Sequence, residues 1–532
     1  MESENKKPNI LIINPDEMRW DTMGHMGNPA AVTPNLDAFA STEAVSFSHA
    51  YCQNPVCVPS RCSFFTGLYP HVHGHRTMSY LLHPGEDTLF SELKRAGYYV
   101  WVNDRNDLFA GQVPGWIEEN ATEIHYSVKG NNPGPIKELR GHRGSKDYYS
   151  HYEGCLGLDS EGKNINKDDK TVEAAIQRIL NPIDERPLCM FLGLMWPHVP
   201  YGCEEPYFSA VDRRKLPPRI HAEECIGKPR MEELLREYIG MDDYTEEDWN
   251  ELRGVYLGMC HKIDEQFGQL IQALKQAGIY DNTLILFMSD HGDYAGDFDL
   301  VEKAQNCFED CLTRVPFLIK PPKKDGVDPG ISSALVELVD LYATVMDYAE
   351  VIPSHTHYGR SLRLVLEDRS RKHRDAVFCE GGRMPGEIHC DEYHIDGPLG
   401  TPESFLYWPK KKAQSNDLAH GRGIMMREYR YKYISRLTES DELYDMEEDP
   451  GETINRINDP KLKEVAARMQ MKMLKWLQAT ADVVPYRYDS RFNPQMMWEM
   501  VKDKVPESKE QKVHKMIEEG ATLPAIMRVC DE

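Results

Sequence analysis

NILIINPDE, Asn9 to Glu17, sets four aliphatic side chains in a row and then stops at a proline followed by two acids. Polar and apolar residues do not alternate, so the run reads as a strand buried on both faces, as in a parallel sheet covered by helices. The stretches LCMFLGLMW, TLILFMSD and YYVWV read the same way, and VPFLIK as an edge or late strand. Amphipathic stretches lie between them. TPNLDAFAS begins a helix, EDTLFSELKRAG is a helix closed by Gly97, and YLGMCHKIDEQFGQLIQALKQAG is a long helix closed by Gly278. Strand and helix in this rhythm from Pro8 to about Lys320 predict an α/β fold, a mostly parallel sheet sandwiched by helices. In such sheets ligands collect at the carboxyl ends of the strands.

Residues 111–169 are rich in Gly, Asn, Lys and His without periodicity and read as long loops. After His373 come short runs of β character, DAVFCE, RGIMMREYRYKYI and DELYDM, then the helix DPKLKEVAARMQMKMLKWLQAT. A smaller α+β C-terminal subdomain is expected there. The division is 1–372 for an α/β catalytic domain, 373–480 for the subdomain, and 481–532 for a charged tail or an oligomerisation arm that would make a homo-oligomer.

The 62 Lys and Arg against 86 Asp and Glu leave a net charge of −24, which repels nucleic acid and anionic membrane surfaces. An anionic substrate would therefore need a cationic pocket set against that background. The apolar run Ile10–Ile13 is too short for a signal peptide or a membrane span. Thirteen cysteines without a CxxC pair read as reduced thiols, and the chain as cytoplasmic or as a mature form freed of its leader.

Chemistry concentrates at strand ends. Asp16 and Glu17 end the first run, and Asp290 and His291 follow directly on TLILFMS, with Gly292 permitting a sharp turn. Asp16, Asp290 and His291 make a mainly oxygen-donor set suited to a hard divalent cation, calcium first, with one imidazole that admits manganese or zinc. A third element is NPVCVPSRCSFFTG, Asn54 to Gly67. Pro59 suits the first turn of a helix, so Cys57 falls at a helix N-terminus, where amides and dipole favour negative charge. Buried thiol, half of a disulfide with Cys52 or Cys62, metal ligand and precursor of another group all remain open for it. In HVHGHR, His71, His73 and His75 would share one face of a strand, but a pocket-lining loop is the preferred reading over a zinc site.

Cys57-Val58-Pro59-Ser60-Arg61 with Thr66-Gly67 resembles the sulfatase signature, and NILIINPDE, TPNLDAFA, WPHVP, SDHG, TRVPFLIK, YKYI and ELYDMEEDPGE follow in the family's order up to about residue 480. The resemblance implies an alkaline phosphatase/sulfatase-like fold and oxidation of Cys57 to formylglycine by a formylglycine-generating enzyme. The hydrated aldehyde would attack the sulfur of a sulfate ester and then collapse to release sulfate. It further implies Asp16, Asp290, His291 and the modified Cys57 as metal ligands, with Glu17 a further candidate ligand at a position of variable identity. Arg61 would hold the diol, Ser60 belongs to the signal that the modifying enzyme reads, and His198 and Lys303 would contact the sulfate.

One departure from the family pattern is Asp104-Arg105-Asn106-Asp107 in place of Gly-Lys-x-His. Arg105 can replace the lysine as an anion clamp, and Asp107 is suited to hold Arg105 or a substrate hydroxyl. The substrate is then a sulfate-ester small molecule or a sulfated sugar. Trp196, Tyr201 and the stretch GGRMPGEIHCDEYHIDG are candidates for the leaving-group side. Two alternatives stand beside sulfate ester hydrolysis: a phosphonate monoester or phosphodiester hydrolase of the same superfamily, and a non-catalytic homologue that binds sulfated ligands.

Overall fold

The computed structural model describes residues 6–127, 130–392, 400–484, 486 and 491–531. Its centre is an eight-stranded sheet. In chain order the strands are β1 (Asn9–Asp16), β2 (Val45–Tyr51), β3 (Tyr99–Asn103), β4 (Glu123–His125), β5 (Tyr152–Leu156), β6 (Leu188–Pro197), β7 (Tyr201–Glu204), β8 (Thr283–Met288), β9 (Phe317–Lys320) and β10 (Gly330–Glu337). The large sheet runs β10-β2-β9-β8-β1-β6-β3-β4, while β5 and β7 pair separately. Every neighbouring pair in it is parallel except those that β9 makes, antiparallel to both β2 and β8. VPFLIK is thus an interior strand and not an edge.

The unbroken aliphatic run of β1 follows from its central place. Ile10 and Ile12 face a core with Phe64, Phe65, Phe90 and Phe191, whereas Leu11 and Ile13 face one with Phe39, Val255, Phe267 and Phe287. Two-residue alternation sends neighbours to opposite faces, and both faces are covered. The helices include α1 (Pro34–Thr42), α2 (Cys57–Thr66), α3 (Pro70–His73) and α4 (Leu89–Arg95). The long helix Glu246–Gln276 is capped by a Thr245/Asp248 box and packs Trp249, Leu252, Val255 and Ile263 against the second core. The stretch expected as loops, 111–169, also holds the helix Trp116–Asn120, β4 and β5.

Strands β11 (Val377–Gly381), β12 (Gly423–Arg427), β13 (Tyr431–Arg436) and β14 (Glu442–Asp445) form an antiparallel sheet in that order. The helix Lys463–Thr480 covers it, with Trp476 stacked on Phe378 at 4.3 Å between ring centroids. This is the small α+β region, and it belongs to the same compact unit as the large sheet, residues up to Asp482 apart from Ser354–Thr356. Val483–Glu532 with Ser354–Thr356 form a second unit. Its helices Pro494–Val501, Glu510–Glu518 and Leu523–Asp531 enclose Met497, Val501, Val513, Ile517 and Ile526. Among the described residues no helix is long and apolar enough to cross a membrane. All thirteen cysteines are free, which removes the disulfide reading of Cys57.

Candidate active site

Three chain segments far apart in sequence meet at the carboxyl ends of β1 and β8. Asp16 is the last residue of β1, and Asp290 and His291 lie just beyond β8. Cys57 is the first residue of α2, a helix whose ten residues are all buried and whose cap residue Val56 offers no side-chain acceptor. The first turn therefore leaves its amides and dipole directed at the Cys57 neighbourhood. Gly292, next to His291, is required for close approach and not for a left-handed turn: a Cβ there would stand 1.9 Å from the carbonyl oxygen of Cys311.

The donor atoms converge. His291 Nε2 is 3.4 Å from Cys57 Sγ, 3.4 Å from Asp16 Oδ1 and 3.9 Å from Asp290 Oδ1, and Cys57 Sγ is 3.6 Å from Asp16 Oδ1. All four residues are buried. Three of these residues are also held from behind. Arg61 donates from Nε to Asp290 Oδ2 at 2.7 Å and from Nη2 to Asp16 Oδ2 at 2.8 Å, so one guanidinium orients both carboxylates and leaves an Oδ1 of each facing inward. His291 Nδ1 donates to the Gly292 carbonyl at 3.0 Å, which keeps Nε2 as the lone-pair nitrogen. The carboxylates, the imidazole and the thiol lie within 4.8 Å of one another and fit a divalent cation.

Glu17 is not among the four. Its backbone is left-handed at φ 69°, and its carboxylate turns to Lys303 Nζ at 3.0 Å, with His198 Nε2 at 3.5 Å. Its Oε1 is buried without a hydrogen-bond partner. Lys303 Nζ donates to His198 Nε2 at 2.8 Å, and His198 Nδ1 donates to the Val199 carbonyl, so this histidine is neutral in the arrangement seen. Arg61 is engaged by Asp290, Asp16, the Arg105 carbonyl and Asp107, which makes it an organiser of carboxylates rather than a free clamp. Arg105 donates to Asp16 Oδ2 at 2.5 Å, and its Nε is buried without a partner. Asp107, also left-handed at φ 52°, stands 3.1 Å from Arg61 Nη1 and 3.9 Å from Arg105 Nη1. Ser60 Oγ donates to the Asp290 carbonyl and so ties α2 to the end of β8.

Electrostatics separates the carboxylates. Burial, the largest influence on Asp16, would raise it, but the guanidiniums of Arg105 and Arg61 hold it well below its ordinary value. Burial pushes Glu17 well above its ordinary value, and Lys303 offsets only part of this. Burial and then Asp16 push the Cys57 thiol up, and burial and then Lys303 push His198 down.

A cavity of about 550 Å³ opens beside Cys57, lined on its charged side by Arg105, Asp107, His198, Glu302 and Lys303 and on its apolar side by Met78, Leu81, Met195, Val199 and Leu406, with Tyr407. Sequence reasoning missed Glu302 and Lys410. Glu302, left-handed at φ 62°, accepts from Lys410 Nζ at 2.6 Å, and Lys410 comes from the helix Trp408–Gln414. Nothing local in the sequence signals that pairing across 108 residues. Tyr201 is not on the leaving-group side: fully buried, it donates to Asp293 and accepts from the Glu302 amide. Trp196 is half-buried and takes Lys262 over its ring. Within GGRMPGEIHCDEYHIDG, Tyr393–Gly397 lie outside the described residues, and Glu392 lines the cavity.

Comparison with known proteins matches residues 8–351 to the family model described as Sulfatase. An arylsulfatase of Clostridium perfringens is 25% identical over 520 residues, covering 89% of this chain and 95% of that protein. A choline-sulfatase of Rhizobium meliloti is 28% identical, covering 86% and 83%. Among solved structures, the phosphonate monoester hydrolase of Agrobacterium radiobacter superposes with a TM-score of 0.70 over 91% of this chain and 100% of that one, at 21% identity, a likeness of fold.

Proposed function

From its membership of the sulfatase family, which makes the chain a sulfuric ester hydrolase, we propose that it cleaves a sulfate ester with a nucleophile made from Cys57. The observation that carries this reading is the convergence of Cys57 with Asp16, Asp290 and His291 beside a cavity whose lining includes the cations Arg105 and Lys303. Burial holds the thiol protonated, so the sulfur as encoded is a poor nucleophile, and conversion to formylglycine, whose hydrate presents oxygen, removes that obstacle. Cys57 is 2% exposed, so a formylglycine-generating enzyme must reach it before the chain folds.

Asp16, Asp290, His291 and the modified residue 57 would hold a divalent cation, calcium being the first candidate for so oxygen-rich a set. The cation would supply Lewis acidity and lower the cost of an ionised oxygen nucleophile. The chain's own residues do the rest. Arg105, with its unpartnered Nε, and Lys303 face the cavity and take the negative charge of the sulfate group. Lys303 is held protonated by the carboxylates of Glu17 and Glu302 against a burial that opposes it, and its hydrogen bond to His198 places a proton where a leaving oxygen needs one. Arg61 keeps the two aspartates in register. Asp107 positions Arg105 and faces the substrate side.

The substrate is a sulfated alcohol, phenol or sugar whose uncharged part meets the apolar wall of Met78, Leu81, Val199 and Leu406. A second reading, phosphonate monoester hydrolysis, is supported by the likeness of fold to the phosphonate monoester hydrolase of Agrobacterium radiobacter. Turnover of an aryl sulfate and of the matching aryl phosphonate, by protein produced with a formylglycine-generating enzyme and by its Cys57→Ala variant, tests both. Sulfate turnover that disappears in the variant supports the proposal. Dominant phosphonate turnover replaces it with the second reading. Turnover that survives in the variant removes Cys57 as the nucleophile.

A further inference from the structure

A second cluster of metal-ligating side chains stands apart from the four-donor site. α3 ends at His73, and Gly74 follows at φ 80°, a left-handed turn in open space that reverses the chain after one residue. His73 and His75 therefore come together on one side, 6.4 Å between ring centroids, and not along a strand. Both point at one carboxylate oxygen: His73 Nδ1 is 3.2 Å and His75 Nε2 is 2.7 Å from Glu86 Oε1. His71, the third histidine of the motif, is turned elsewhere, to Glu380 and Thr480.

Each of two ligands has the outer support that metal sites use. His75 Nδ1 donates to the Tyr80 carbonyl at 3.1 Å, which fixes the ring with Nε2 toward Glu86 as the nitrogen that a metal would take in place of its proton. Glu86 Oε2 accepts from the His83 amide at 2.6 Å, which leaves Oε1 to the two imidazoles. The three donor atoms lie within 4.8 Å of one another. Two ligands about 2.1 Å from a tetrahedral zinc stand about 3.4 Å apart, so the His73–Glu86 distance is already near that value and the His75–Glu86 distance needs to open by about 0.7 Å.

We propose that His73, His75 and Glu86 form a second metal site, selective for a borderline divalent cation of the zinc class, with one coordination position open to solvent. Two imidazoles and one carboxylate suit zinc better than calcium. The consequence is local. Met78, Ser79 and Leu81, which line the cavity beside Cys57, sit on the loop between His75 and Glu86. A metal that joins the two ends of that loop pins one wall of the cavity.

The test is a cobalt titration of the full chain carrying Cys57→Ala, in excess calcium to fill the oxygen-rich site. The expected result is one bound cobalt with the visible absorption of four-coordinate nitrogen and oxygen ligation, bleached by added zinc, and slower amide exchange in residues 76–83. His73 has a side chain 38% exposed, so His73→Ala leaves the fold intact, and it should weaken binding more than the roughly 10–100-fold typical of losing an outer-shell partner. Glu86→Gln, which keeps the shape, should do the same. Unchanged stoichiometry and absorption in both variants, or a thiolate charge-transfer band, would assign the bound metal to other residues and overturn the proposal. Absence of cobalt binding would leave only two imidazoles hydrogen-bonded to a carboxylate, and overturn it equally.

Discussion

Arg61→Met is the sharpest test of how the centre is held. The Arg61 side chain has no solvent exposure, and neither do those of Asp16 and Asp290, which accept from it at 2.8 and 2.7 Å. A third partner, Asp107, is 26% exposed and can turn to water. Asp16 keeps Arg105 when the guanidinium is removed, but Asp290 loses its closest cation and stays buried. Removing one member of a buried pair costs about 3–5 kcal/mol, chiefly because the other charge is left uncompensated. This corresponds to a fall of roughly 10²–10⁴-fold in the folding constant. Urea unfolding in chelator, followed by tryptophan fluorescence, reads the loss as a shift in midpoint at constant slope. A divalent cation that binds the folded chain alone should return about 2.7 kcal/mol at a hundredfold excess over its Kd. Arg61→Lys should recover only a fraction, since one ammonium cannot reach both aspartates in the way a planar fork does. A loss below about 1 kcal/mol for Arg61→Met, or full stability in Arg61→Lys, would refute the claim that this side chain organises the two carboxylates.

The remaining expectations concern charge and turnover. Proteolytic peptides of protein matured in a competent host should carry the aldehyde and not the thiol at residue 57, and an intact thiol there would end the formylglycine reading. Lys303→Ala should lower kcat/KM for a sulfate ester by about 10²–10³-fold, as for loss of one preorganised charge-stabilising donor, and a change below tenfold would remove Lys303 from the anion site. His198 is held below its ordinary value in the folded chain, so between pH 7.5 and 5.5 the unfolded chain takes up a proton there that the folded chain does not. The contribution is present above the unfolded value and lost as pH falls, at no more than about 1.4 kcal/mol per pH unit. Stability measured across that window should therefore fall more steeply in the parent than in His198→Gln, and equal slopes would contradict a neutral His198. Gly292→Ala should weaken divalent-cation binding, because its methyl group would collide with the Cys311 carbonyl and displace His291.

Much of this architecture is legible in the chain because the physics is local. Ile10–Ile13 have no polar alternation, and such a run is stable only between two apolar layers, which is where β1 lies. Asp16, Asp290 and His291 end such runs, and strand ends in a parallel sheet meet on one edge, so their convergence is implied before any coordinate is known. Direction and pairing are another matter. Phe317–Lys320 looks like any other short strand, and only its neighbours β2 and β8 decide that it runs backwards through the middle of the sheet. The same holds for charge: Arg61 could clamp an anion on sequence grounds, yet three acids and a carbonyl brought from elsewhere claim its donors, while Arg105 keeps a buried nitrogen unpaired. Glu17 turns from Asp16, Asp290 and His291 to Lys303 because its left-handed backbone aims it there. Residue type and spacing determine which groups reach the site, whereas the partner each group faces depends on contacts between residues tens to hundreds of positions apart, and those exist only once the chain is packed.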